Sequence, residues 1–108
     1  MSKSVAYYKD HVGLNPKKFY KTTLFREDNL MLGLNCLEPG QTQKVHLHDD
    51  QDKFYYVIEG EGLFTVGEDV VTANGGHIVW AKAGVPHGVE NLSNDRLTIL
   101  VGISPAPR

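Results

Sequence analysis

The residues best suited to chemistry in this chain are two histidines separated by one position, His46 and His48. Apolar and polar residues alternate around them, which predicts a β-strand over residues 44–48. Because side chains alternate along a strand, both imidazoles should share one face, with Cα atoms about 6.5–7 Å apart. Two imidazoles at that spacing can bind one metal ion through bonds of roughly 2.0–2.1 Å. Taken alone, the pair fits a solvent-exposed strand face equally well.

The elements that position these histidines are predicted to be strands throughout. Alternation with period two dominates from about residue 19 onward, and clusters rich in glycine, proline, asparagine and aspartate interrupt it. Nine strands are predicted, over residues 19–25, 30–37, 44–48, 54–59, 63–66, 70–73, 78–81, 87–91 and 97–103. Many short strands separated by turns indicate an antiparallel sandwich or barrel.

Composition narrows the class of protein. A chain of 108 residues suits one domain with a modest core. The net charge of −2 provides no basic surface for nucleic acid, and the lysines of the first third are expected on a solvated face: Lys3, Lys9, Lys17, Lys18 and Lys21. No apolar stretch reaches the roughly 18 residues of a membrane helix, and the start lacks a secretory signal. With one cysteine, Cys36, expected to be a buried thiol, a cytoplasmic protein without a membrane partner is predicted.

A longer motif surrounds the first two histidines. From Gly40, five residues lead to His46, one residue separates it from His48, and a polar run followed by a strand ends at Gly60. This arrangement resembles the first sequence motif of the cupin superfamily. The glycines at either end belong to predicted turns.

A second motif follows downstream and completes the resemblance. From Gly76, five residues lead to residues 82–84 (Lys-Ala-Gly), then two residues to His87 and three more to Asn91. It matches the second cupin motif except at Lys82, where the family usually has proline. On these two motifs, which cover residues 40–60 and 76–91, the chain resembles a small single-domain cupin.

The resemblance implies an all-β fold, a cupin-type double-stranded β-helix, which is a jelly-roll barrel commonly found as a dimer. Residues 1–108 would form one cupin domain, with an arm over 1–28 that contacts a dimer partner and a barrel over 29–104. In the arm, Val5, Tyr8 and Val12 have helical spacing, so a short helical or extended segment is expected there.

The resemblance also implies a metal held by His46, His48 and His87. Three nitrogen donors leave open coordination positions, as in catalytic rather than structural sites. Imidazole accepts iron, manganese, nickel, copper, cobalt or zinc, so the ligands do not identify the divalent transition metal. Asn91 could form a hydrogen bond that orients one of the metal-binding histidines, or it could stabilise a turn.

One position departs from the family pattern. Where cupins usually have a glutamate five residues after the second histidine, this chain has Lys53. Three interpretations follow. Lys53 turns outward, as a lysine whose stem covers apolar surface would do, and leaves a three-histidine site; or Asp52 or Gln51 replaces the acid through a bulge; or Lys53 stays near the site, pairs with Asp50, Asp52 or Glu59, and the barrel binds little metal.

Two functional hypotheses remain open. The first is a metal-dependent protein acting on a small organic molecule, in which Lys53 and Asp52 are candidate catalytic residues. The second is a non-catalytic barrel that binds or senses a small molecule, with Lys53 in place of the acidic ligand. A fold-level resemblance does not choose the reaction, so enzymatic activity stays undecided.

The remaining side chains are interpreted structurally. His11 and His77 are not expected to bind metal. One set of apolar residues is expected in the core: Phe54, Tyr56, Ile58, Phe64 and Val66. Tyr55 and Val57 share the strand parity of Lys53 and would line the interior if Lys53 does. Trp80 could lie in the core, the cavity wall or a dimer contact.

Overall fold

A computed structural model describes residues 3–108 as two antiparallel β-sheets packed face to face. The strands are β1 (Tyr20–Glu27), β2 (Leu30–Leu37), β3 (Thr42–His46), β4 (Asp52–Glu59), β5 (Glu61–Val66), β6 (Asp69–Asn74), β7 (Ile78–Ala81), β8 (His87–Glu90) and β9 (Leu97–Ser104). One sheet has the order β1-β2-β9-β4-β7 and the other has β3-β8-β5-β6. The two sheets share one core, as expected of a jelly roll.

The predicted strands are all present, and most differences lie at their ends. β2 and β7 have the predicted bounds, whereas β3 begins and ends two residues earlier than predicted. In the arm, the helical spacing produces only a 3-10 turn, Tyr8–Asp10, and the preceding residue, Tyr7, provides no side-chain cap. This three-residue turn is the only helix in residues 3–108, and it is far too short to cross a bilayer.

The core lies between the sheets and combines residues from both. Its fully buried members include Leu37, Tyr55, Val57, Phe64, Leu97 and Ile99. The rings of Tyr55 and Phe64, from opposite sheets, lie 5.2 Å apart. Buried aromatic pairs at such distances stabilise a core beyond the area they bury. Cys36 is buried as predicted.

The inward face of β4 is the opposite of the one assigned to the core from sequence. Lys53 and Tyr55 are buried, while Tyr56 is 36% exposed and Phe54 and Ile58 are only partly buried. The expectation that Phe54, Tyr56 and Ile58 form the core was therefore wrong. Both faces of β4 carry apolar residues, so alternation alone did not distinguish them.

Close packing of β3 against β8 brings the two histidine motifs together. His46 is the direct cross-strand partner of His87. The next residue, Gly88, has no room for a side chain, since a Cβ there would lie 2.8 Å from the backbone oxygen of Gln43 and 2.8 Å from the backbone nitrogen of Val45. Glycine at 88 therefore lets the strands approach closely enough to pair.

We predict that Gly88→Ala destabilises the fold by about 1–3 kcal/mol, because β3 must shift away from β8 to admit the methyl group. Thermal unfolding followed by circular dichroism would measure the change. Glu90→Ala, an exposed position on the same strand, is the control and should differ from wild type by less than about 0.5 kcal/mol. Equal melting temperatures for Gly88→Ala and wild type would contradict the prediction.

Candidate functional site

Three histidine rings meet at the open end of the β3–β8 pair. The ring centre of His46 lies 4.4 Å from that of His87 and 5.0 Å from that of His48, and the third distance is 6.3 Å. His48 lies two residues beyond the end of β3 instead of on the strand as predicted. The chain thus brings together the three histidines that the sequence motifs singled out.

Hydrogen bonds to the backbone set the tautomer of two of these rings. The Nδ1 atom of His46 lies 2.9 Å from the carbonyl oxygen of Lys44, and the Nδ1 of His87 lies 2.9 Å from that of Val85. A carbonyl oxygen only accepts, so each Nδ1 donates and each Nε2 keeps its lone pair. The Nε2 of His87 is buried without a hydrogen-bond partner within residues 3–108.

Burial also keeps these two imidazoles neutral. It lowers the pKa of His46 and that of His87, and the charge of Lys53 lowers both further. Neutral imidazole is the form that binds metal ions. Both rings therefore carry an available donor atom at neutral pH.

The three rings do not form a closed coordination site. Adjacent imidazoles around one ion place their ring centres roughly 4.5–5 Å apart when metal–nitrogen bonds are about 2.1 Å. Two of the three distances match this spacing, and the 6.3 Å between His48 and His87 exceeds it. Accordingly, no set of three or more His, Cys, Asp or Glu side chains in residues 3–108 is arranged to hold a metal ion.

Strand β4 contributes Lys53 and Tyr55 to the surroundings of the histidines. Lys53, only 6% exposed, places its Nζ 4.7 Å from the centre of the Tyr55 ring, and that ring lies 6.2 Å from the ring of His87. The Tyr55 hydroxyl donates a 2.6 Å hydrogen bond to Oε1 of Gln43. Burial, with a smaller contribution from the charge of Lys21, lowers the pKa of Lys53 to about 8, and burial raises the pKa of Tyr55.

These positions show that two expectations about Lys53, its outward orientation and its ion pair with an acid, were wrong. Its side chain is buried beside the histidines, so the expectation that it turns outward was wrong. No carboxylate within residues 3–108 lies within 4.0 Å of its amine, so the expected ion pair with an acid is also not formed. Asp52 is exposed and accepts a 2.9 Å hydrogen bond from the backbone N–H of Ala83. Gln51, by contrast, lines the cavity.

A cavity of about 580 Å³ opens beside the histidines. Its polar lining is Lys21, Thr22, Thr23, Arg26, Asn35, Gln43, His46, His48, Gln51 and Lys53, and its other lining residues are Met31, Gly33, Val101, Ile103 and Pro107. Sequence reasoning missed the contribution of β1 and β2, and placed Lys21 on a solvated face only. An open pocket with convergent polar groups is typical of a small-molecule site.

Three other candidate residues have structural or surface positions. Asn91 is fully buried; its amide donates to the backbone oxygens of Leu37 and Asp95, both at 2.8 Å, so it stabilises a turn. His77 is exposed and bonds within its own turn. Trp80 is 57% exposed, so it is not in the core, and it does not line the cavity.

Comparison with known proteins identifies the family. The model of the cupin domain matches residues 33–103, about two thirds of the chain. A crystal structure of a protein from Thermus thermophilus superposes with a TM-score of 0.92 at 39% identity, covering 95% of this chain and 98% of that one. The chain belongs to the cupin superfamily, and its fold is the cupin double-stranded β-helix.

Two curated relatives are similar over most of the domain. An uncharacterised protein of Streptomyces coelicolor is 38% identical over 80 residues, 74% of each chain. An oxalate-binding protein of Thermotoga maritima is 31% identical over 67 residues, 62% of this chain and 55% of that protein. Neither similarity assigns this chain a ligand.

We predict that Lys53→Met stabilises the metal-free protein by about 1–3 kcal/mol at pH 7. The folded state holds the amine with a pKa near 8, below the 10.5 of an exposed lysine, so the buried charge costs stability below pH 8. As the pH rises from 8 to 10.5, first the folded and then the unfolded protein loses this proton, and the cost to stability disappears. The stability advantage of Lys53→Met should therefore disappear over the same pH range. Loss of the contact with the Tyr55 ring offsets part of the gain.

Urea unfolding at pH 7 and pH 10 in the presence of a chelator would measure this difference. Lys44→Met, at an exposed position on β3, is the control and should change stability little at either pH. A Lys53→Met protein less stable than wild type at pH 7 would show that the amine is satisfied in the folded state.

Proposed function

We propose that this cupin binds a divalent transition metal through His46, His48 and His87 and acts on a small organic molecule in the adjacent cavity. The observation that carries the proposal is the Nε2 of His87, a buried lone pair that no group within residues 3–108 satisfies. An unsatisfied buried acceptor costs free energy, and a metal ion would offset that cost. The available Nε2 of His46 is the second donor.

For His48 to act as the third metal ligand, its ring must rotate toward the other two histidines. This residue is exposed, and its ring makes no hydrogen bond within the described part of the chain, so little opposes its rotation. Iron, manganese, nickel, copper, cobalt and zinc all accept three imidazoles. When bound, such an ion would supply a Lewis acid that polarises an oxygen of the substrate or activates water.

Lys53 limits how tightly the ion can bind. Its protonated amine lowers the pKa of His46 and His87 by electrostatic repulsion, and the same repulsion acts on a cation. In the metal-dependent reading, Lys53 is the candidate catalytic residue that can donate a proton inside the cavity, because its pKa near 8 lies close to neutrality. Asp52 is a weaker candidate, since its carboxylate holds the turn at Ala83 outside the cavity.

We predict one divalent metal ion per chain after dialysis against the six candidate metals in turn, measured by elemental analysis. His48→Gln, at an exposed position, should weaken binding by at least tenfold without unfolding the protein, and His87→Ala should abolish it. His77→Ala is the control, because that exposed imidazole lies outside the cluster. A folded wild-type protein that retains none of these metals would disprove the metal site.

A second candidate function is a metal-free barrel that binds a small acid. Lys53 is the specific observation in its favour, because a buried amine without a carboxylate partner can pair with an anionic ligand. The similarity to the oxalate-binding protein of Thermotoga maritima is compatible with this alternative. Metal-free protein that binds a small acid as tightly as metal-loaded protein would favour it over the first proposal.

We also propose a cytoplasmic homodimer. The single buried Cys36 suits a reducing compartment. The outer face of β4 and β7 exposes Tyr56, Ile78 (69%) and Trp80 (57%) side by side, an apolar patch of the kind that mediates association. The arm over 1–28, with Tyr7 exposed, is a second contact in this proposal, while the barrel spans 29–104.

We predict that light scattering gives twice the chain mass of 12.0 kDa and that Trp80→Lys shifts the protein to a monomer. Val70→Lys, at an exposed apolar position on β6 of the other sheet, is the control and should leave the mass unchanged. A monomeric wild-type protein would contradict the homodimer, and an unchanged Trp80→Lys protein would exclude this face.

A further inference from the structure

A β-bulge in β1 turns two cations toward the same cavity. Lys21 and Arg26 are five positions apart, so in a regular strand they would face opposite sides of the sheet. The pairing with β2 shifts register between Thr23 and Phe25, which adds one residue to β1. Both Lys21 and Arg26 consequently line the cavity. A bulge that redirects side chains is a common feature next to functional sites.

The sheet registers place Arg26 in one row with Lys53. Arg26 pairs with Met31, Met31 with Ile103, and Ile103 with Lys53, and all four residues line the cavity. Three strand spacings separate the two cations, or about 14 Å between their Cα atoms. Both side chains are long, so a small molecule lying over Met31 and Ile103 can reach both charges.

The charge of this cavity is opposite to that of the whole chain. Three of the 11 Lys and Arg residues line it, and none of the 13 Asp and Glu residues does. Within residues 3–108, the only ion pair joins Arg96 and Glu38, so Lys21, Arg26 and Lys53 have no acidic partner. Lys21 is close enough to contribute to the lowered pKa of Lys53. Unpaired cations gathered in one cavity attract an anion.

We propose that the cavity recognises a small organic acid with two separated anionic groups, one held at Lys53 beside the histidines and the other at Lys21 and Arg26 on β1. This inference rests on the proposed function only in placing the ligand in this cavity. The guanidinium of Arg26 offers a planar pair of donors that matches a carboxylate, and Lys21 adds a second charge. The apolar side chains of Met31 and Ile103 suit the carbon segment between the two anionic groups.

Titration calorimetry with three molecules of equal chain length would test the proposal. Succinate carries two carboxylates, butyrate one, and succinamide none. Succinate should bind at least tenfold more tightly than butyrate or succinamide. Arg26→Gln and Lys21→Gln should each lower the affinity for succinate by about tenfold while changing the affinity for butyrate less than twofold. Lys17→Gln, which removes the same charge at an exposed position outside the cavity, is the matched control.

Several outcomes would overturn the inference. The first is that folded wild-type protein does not bind succinate. The second is that succinamide binds as tightly as succinate, and the third is that Arg26→Gln leaves the affinity for succinate unchanged. Circular dichroism of each variant would confirm its fold, and elemental analysis of the same samples would separate the two proposals. A protein that binds metal but not succinate refutes only this inference, and one that binds succinate but no metal refutes only the metal site.

Discussion

The pairing of β3 with β8 is the constraint on which the site depends. It sets His46 directly opposite His87, although 41 positions separate them in the sequence. The pairing requires glycine at 88, where any Cβ would meet the backbone of β3. Gly88, which allows the two backbones to approach, therefore also controls the distance between the two imidazoles. The pairing of β3 with β8 and the arrangement of the site both depend on the missing side chain at this position.

Beside the histidines, Lys53 introduces a charge into an otherwise largely apolar core. It is flanked on its strand face by Tyr55, a fully buried aromatic residue that contacts both the amine and the core. A buried amine without an ion pair lowers the stability of the folded protein. Proteins retain such costly groups mainly at functional positions. The same amine repels a cation and attracts an anion, so it distinguishes this site from a cupin site with glutamate at that position. In the function proposed here, metal affinity and ligand charge are therefore coupled through Lys53.

The cavity is assembled from both sheets. The four-stranded sheet contributes Gln43 and His46, and the five-stranded sheet contributes the cations and the apolar floor of Val101 and Ile103. One irregularity, the bulge in β1, determines that Arg26 faces inward. Removing the extra residue would restore regular alternation and send every following side chain of β1 to the other face. The electrostatic character of the cavity therefore depends on backbone register as much as on composition.

The sequence by itself determined the strands, the family and the identity of the three histidines. Period-two alternation and glycine-rich turns are local signals, so nine strands were predicted close to their observed bounds. Only the tertiary structure decided which face of β4 is inward, because apolar residues at Phe54 and Tyr56 compete with those around Lys53 for the core. It alone placed Arg26 in the cavity and left the ring centre of His48 6.3 Å from that of His87. Bulges, close strand approaches and side-chain rotations depend on residues distant in the chain, and no local pattern encodes them.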